Sequence, residues 1–159
     1  MEEQMKKTIA LTFVLAALVA FAAAQSALTV RFGQNGKAFT MAMESNETAV
    51  KLVRDVGNQS WNLPIYNFSG YEGADYYQYY DIPRRYTYTP HPSRVTQAKA
   101  GEVYYSHPNR IILFFHDAKV NMELTKIGQI EATAEFVRAV EDNPTLEYWG
   151  NKIVVIQKK

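Results

Sequence analysis

The chain has 159 residues, 47% of them hydrophobic, no cysteine and a formal net charge of +1. The absent thiol excludes disulfides, thiol catalysis, iron–sulfur clusters and thiolate zinc sites. The near-zero charge leaves no overall field to draw the protein onto nucleic acid or an anionic membrane.

Lys6 and Lys7 precede an apolar run from Thr8 to Ala24 that closes on Ala22-Ala23-Ala24. A basic start, an apolar stretch and a small-residue end are the pattern of a secretory signal peptide. The run falls short of the roughly 20 apolar residues a spanning helix needs. The reading is a signal peptide over 1–24 and one exported domain over 25–159, periplasmic or extracellular, with no membrane anchor once the signal is cleaved. The exported part is long enough for a hydrophobic core of its own, which must supply the stability without disulfides.

"ALTVRF" and "KAFTMAM" alternate around "GQNG", which predicts a hairpin. "SNETAVKLVRDVG" predicts a short helix capped by Ser45 or Asn46 and ended by Gly57. Its apolar face is expected to hold Ala49, Val50, Val53 and Val56, opposite Lys51, Arg54 and Asp55. From Trp61 to Tyr88 the chain is aromatic and β-like, with Pro64 and Pro83 expected at edges or breaks. "TPHPSRVTQAKAG" reads as a loop. "EVYY" and "RIILFFH" read as strands joined by "SHPN", the second apolar enough to be central. "NMELTKIGQI" reads as a strand. "ATAEFVRAVED" reads as a helix with Phe136, Val137 and Val140 on one face, stopped at Asn143-Pro144. "TLEYW" and "KIVVIQ" predict a closing hairpin around Gly150-Asn151. About eight strands and two short helices point to a mostly β fold, an antiparallel barrel with the helices over its ends.

The order of these elements resembles the cyclophilin fold, and more closely a bacterial cyclophilin-like domain family of unknown function. Thr48-Ala49 on the early helix, Gly101-Glu102, the run Ile111 to Phe115, and Ile127-Gly128-Gln129-Ile130 carry the resemblance, which spans nearly all of 27–157. Cyclophilins isomerise prolyl bonds with an arginine on a barrel strand, in "F-H-R" before a Phe-x-x-Gln segment. "WNLPIYNFSGYEG" has neither. Cyclophilins also bring a tryptophan and a histidine from the loop after their Phe-Phe strand, and the shorter stretch here lacks both. Phe115 is the one pocket aromatic that carries over. The resemblance therefore implies the fold without the isomerase residues.

The densest chemistry lies in "YEGADYYQYYDIPRRYTYTPHP". Tyr77 and Tyr79 alternate with Tyr76, Gln78 and Tyr80, so a strand here is aromatic on both faces. One face packs on a core. The other is either further packing or a binding wall, where tyrosine offers area and a hydroxyl at low entropic cost. Arg84 and Arg85 follow Pro83 and are a candidate carboxylate or phosphate site. They serve equally as cations over a tyrosine face or as solvated side chains. His91 sits between two prolines, and His116 beside Asp117 suggests an imidazole–carboxylate pair. No histidine stands in a metal-binding pattern, and no phosphate loop, dinucleotide fingerprint or Gly-x-Ser-x-Gly elbow is present. No cofactor is expected.

The function expected is a non-catalytic binding module taking a peptide or small molecule in a groove lined by Tyr77, Tyr79, Arg84, Arg85, Tyr86, His91 and Phe115. A divergent prolyl isomerase and a protein–protein interaction module are the alternatives.

Overall fold

The computed structural model describes residues 25–66, 73–144 and 151–159. The signal-peptide reading over 1–24, and the first strand and turn expected of a closing hairpin over 145–150, lie outside them.

Along the chain run β1 (Ala27–Phe32), β2 (Ala38–Met43), α1 (Glu47–Val56), β3 (Trp61–Tyr66), β4 (Tyr77–Asp81), β5 (Ser93–Ala98), β6 (Glu102–Ser106), β7 (Arg110–Phe114), β8 (Ala118–Ile130), α2 (Ala134–Glu141) and β9 (Asn151–Lys158). The strands are ordered β2-β1-β9-β3-β4-β7-β6-β8, and β8 pairs back onto β2 through Met41↔Ile130 and Met43↔Gly128. This closes an eight-stranded antiparallel barrel, as the alternating strands predict. Every pairing among the described residues is antiparallel.

The barrel interior is filled by alternate residues: Leu28 and Val30, Met41 and Met43, Tyr80, Val103 and Tyr105, Ile111 and Leu113, Val154 and Ile156. The helices close its two ends. Phe136 of α2 meets Phe32 and Phe39 edge-on, with centroids 5.9 and 5.7 Å away. At the far end of β2, α1 begins on Asn46, whose side chain accepts from Ala49 N–H and donates to the Lys126 carbonyl at 2.7 Å. The buried face of α1 is Thr48, Ala49, Leu52 and Val56. Val50, expected on that face, is 55% exposed. At 100° per residue it lies about 130° from the centre of the Ala49–Leu52–Val56 stripe. Pro64 sits inside β3, which pairs with β9 along its length but, among the described residues, with β4 only at Ile65↔Tyr80. The proline therefore falls where the second edge of the strand is nearly unpaired, which suits a residue without an N–H.

Two expectations fail in one place. Ser93–Ala98, read as loop, is β5, and the strand read from Asn121 starts at Ala118. Only Val95 and Ala98 of β5 are buried, too sparse a pattern to announce a strand. Ala98 pairs with Ala118, while Glu102, four residues on, pairs with Gln129. The short link reaches roughly 14 Å and two interstrand spacings add roughly 10 Å, yet a straight strand would part Ala118 from Gln129 by roughly 36 Å. β8 is therefore sharply bent. Its second half, 125–130, belongs to the barrel. Its first half, 118–124, pairs with β5.

This two-stranded ribbon lies over the outer face of β6, β7 and β4. Val95, Ala98 and Leu124 pack with Tyr104, Ile112 and Phe114 in a second core, distinct from the barrel interior. Gly101 makes the fold between β5 and β6 possible. Its φ is +87°, and a Cβ there would meet the Ile130 carbonyl oxygen at 2.0 Å. Asp117 pins the same corner, accepting from Ala100 N–H at 2.9 Å and Lys99 Nζ at 2.8 Å.

Candidate functional site

β4 positions the tyrosines as its alternation requires. Gln78 and Tyr80 point into the barrel and are buried, whereas Tyr77 and Tyr79 point outward and are half-buried. Burial pushes the Tyr80 phenol well above its ordinary pKa, so it is a neutral core residue. Next to β4, β7 sets Phe114 opposite Tyr77, Ile112 opposite Tyr79, and Arg110 opposite Asp81. The ribbon covers Phe114 and Ile112, and Tyr77 and Tyr79 pack at the margin of the same cluster, only partly buried.

A groove is left between the outer face of β4 and the first half of β8. One part, about 380 Å³, is lined by Tyr76, Tyr77 and residues from Ala118 to Met122. The adjoining part, about 450 Å³, is lined by Tyr77, Tyr79, Arg110, Ile112 and Met122 to Leu124. The two share Tyr77 and Met122. Gly73 fits under Tyr77, where a Cβ would lie 2.0 Å from the ring.

Arg110 is the groove's built-in cation. Its Nε donates to Asp81 Oδ1 at 3.0 Å, and its guanidinium lies 4.3 Å from the Tyr79 ring centroid. The sequence reading missed it. Its one signal is a position at the head of the apolar strand, and nothing local says that β7 pairs with β4.

The other expected residues do not converge here. Arg84 and Arg85 are exposed in the turn after β4. Arg85 lies 4.9 Å above Tyr86, which stacks on Trp61 at 5.0 Å and 26°. That stack sits against the barrel interior near α1 and shares no residue with the groove. His91 is half-exposed. Its Nε2 is 3.3 Å from Glu47 of α1, and its N–H donates to Thr125 Oγ1. Phe115 is buried in the barrel interior rather than on the tyrosine face. His116 pairs with Glu141 of α2 at 3.0 Å, not with Asp117. No cluster of three His, Asp or Glu side chains stands together among the described residues. A further hollow lies beside the β1–β2 turn, lined by Phe32 to Gly36, Pro144 and Ile153.

Glu102 anchors the ribbon's near end. Burial pushes its carboxyl up, but Lys126 Nζ, Lys99 N–H and Tyr104 OH each donate at 2.8 Å. Together they hold it below its ordinary range.

The sequence profile of the Cyclophilin-like family matches residues 32–147. The chain belongs to this family. No curated protein matches it. Among solved structures it is similar to one titled "Structure of McbB in complex with tryptophan", at 14% identity and a TM-score of 0.55. The match covers 83% of this chain and 44% of that one, so this chain spans less than half the length of that neighbour. At that identity the likeness is one of fold.

Proposed function

We propose that this cyclophilin-like domain is an exported, non-catalytic binding module that holds a peptide or small molecule in the groove over Tyr77 and Tyr79. Export rests on the leader read from the first 24 residues. The observation that carries the binding reading is the outward pair of tyrosines, with Arg110 over one ring and Met122 across the gap. Two half-buried rings, a methionine and an oriented guanidinium favour a flat apolar or aromatic group carrying a hydrogen-bond acceptor. The neighbour of like fold is titled as a complex with tryptophan, which makes an indole the natural first probe.

The test is an NMR titration of the mature chain with N-acetyl-tryptophanamide, then with a peptide library. Shifts centred on Tyr77, Tyr79, Ile112 and Met122, lost in Tyr79→Ala, are expected. Shifts centred on Trp61 and Tyr86, or no binder in the library, refute the reading. A prolyl-isomerase assay belongs beside it. Robust turnover that vanishes in Arg110→Ala would replace a binding module with a catalyst built on a new arginine.

A further inference from the structure

The residues of β8 that line the groove are consecutive, Ala118 to Met122 in one part and Met122 to Leu124 in the other. A strand that presents a face lines a cavity with every second residue, whereas one that presents its edge lines it with all of them. The groove therefore runs along an edge. On its other edge this half of β8 pairs with β5, from Ser93↔Leu124 to Ala98↔Ala118. Its pairings with β6 and β2 begin only at Thr125 and Gly128. Among the described residues no strand covers the groove-side edge of 118–124, and no loop backbone bonds to it. N–H and C=O groups along roughly 23 Å of strand thus face the groove, with one register irregularity between Lys119 and Met122, opposite Val95 to Gln97.

We infer that the ligand is an extended peptide that adds to this edge as an antiparallel strand, with alternate side chains resting on Tyr77, Tyr79 and Ile112. The inference rests on the binding reading above and names its partner class. Charge sets the direction. Lys119 and Glu123 are both exposed, and neither has an ion pair among the described residues. The charge of Arg110, by contrast, is balanced by Asp81, which leaves that guanidinium as an oriented donor rather than a free counter-ion. An antiparallel peptide ending near Lys119 brings its carboxylate to the free ammonium and its amino-terminal side to Glu123. Main-chain hydrogen bonds supply affinity and the tyrosine floor selects side chains, as in other strand-addition sites. No proline interrupts 118–124, so every backbone donor in the segment is present.

The probe is an eight-residue peptide alternating threonine with valine or tryptophan and ending in a free carboxylate. Two further versions carry N-methyl groups on alternate residues, one in each phase. Binding is followed by calorimetry and by the amide shifts of 118–124. The parent is expected to bind. One methylated phase should lose at least about tenfold in affinity, and the other should stay within about twofold. Amidating the carboxylate should cost about threefold in the wild type and nothing in Lys119→Ala. Equal binding of both phases overturns strand addition and leaves a groove that reads side chains alone. So does failure of the parent peptide while N-acetyl-tryptophanamide still shifts Tyr79 and Ile112. If neither probe reaches the groove, both the inference and the binding reading fall.

Discussion

The site depends on a ribbon held by a small core of its own, and Phe114→Ala tests that division. Phe114 is fully buried in the outer cluster, 5.8 Å and edge-on from Tyr104 and 5.3 Å from Tyr77. Truncating a buried phenylalanine costs about 3–5 kcal/mol. When the ribbon lifts, Phe114 stays on β7 and loses only the contacts made from above, about half of that. A loss of about 2 kcal/mol in the local opening is about thirtyfold in the opening equilibrium. Native-state hydrogen exchange should therefore show the amides of 93–98 and 118–124 exchanging about thirtyfold faster in Phe114→Ala. Phe136→Ala is the control. It empties the α2 end of the barrel, should lower global stability by about 3–5 kcal/mol, and should leave the ribbon's local exchange within about twofold. If Phe136→Ala speeds the ribbon as much as Phe114→Ala does, the two clusters are one cooperative core and the reasoning fails.

Gly101→Ala should destabilise by about 2–4 kcal/mol in a denaturant titration, since it adds a side chain at positive φ against the Ile130 carbonyl. A cost below about 0.5 kcal/mol would mean that the corner is not built as described. Glu102 is held below its ordinary range, so its contribution is full above the unfolded carboxylate pKa of about 4.3 and is lost as pH falls through the lower folded value. Urea titrations between pH 7 and 3 should show stability falling at the acid end, with a shallower fall in Glu102→Gln, and an unchanged slope would sink this assignment. Arg84→Ala and Arg85→Ala should leave groove binding within about twofold, because neither lines the groove and Arg85 lies over Tyr86. A tenfold loss in either would move the site to that end of the barrel.

Much of the barrel was legible in one dimension. "ALTVRF" and "KAFTMAM" alternate because one side of each faces a core, and a period of two survives in any sequence that builds such a strand. Asn46 and Thr133 announce their helices because a side-chain oxygen must satisfy the first free N–H groups. Even the double-sided aromatic character of β4 could be read, since Tyr80 and Tyr79 sit on opposite faces. The weaker signals misled. Val50 matched the helix face by type but not by angle, and β5 has only two buried residues in six.

The groove lay beyond that reading. Ile112 and Phe114 on β7 and Tyr104 on β6 lie in strands whose other faces are also buried, and sequence says only that something covers them. That the cover is the first half of β8 follows from a bend that brings Ala118 back toward Gln129, a relation between residues eleven apart that no local pattern encodes. Arg110 joins Tyr79 and Asp81 only through the register of β4 on β7, across some thirty residues of chain. Local chemistry decides which segments become strands, helices and turns, because those choices depend on neighbours along the chain. Which outward tyrosine meets which arginine, and which strand edge stays open beside them, is decided by pairings between distant segments and exists only once the barrel has closed.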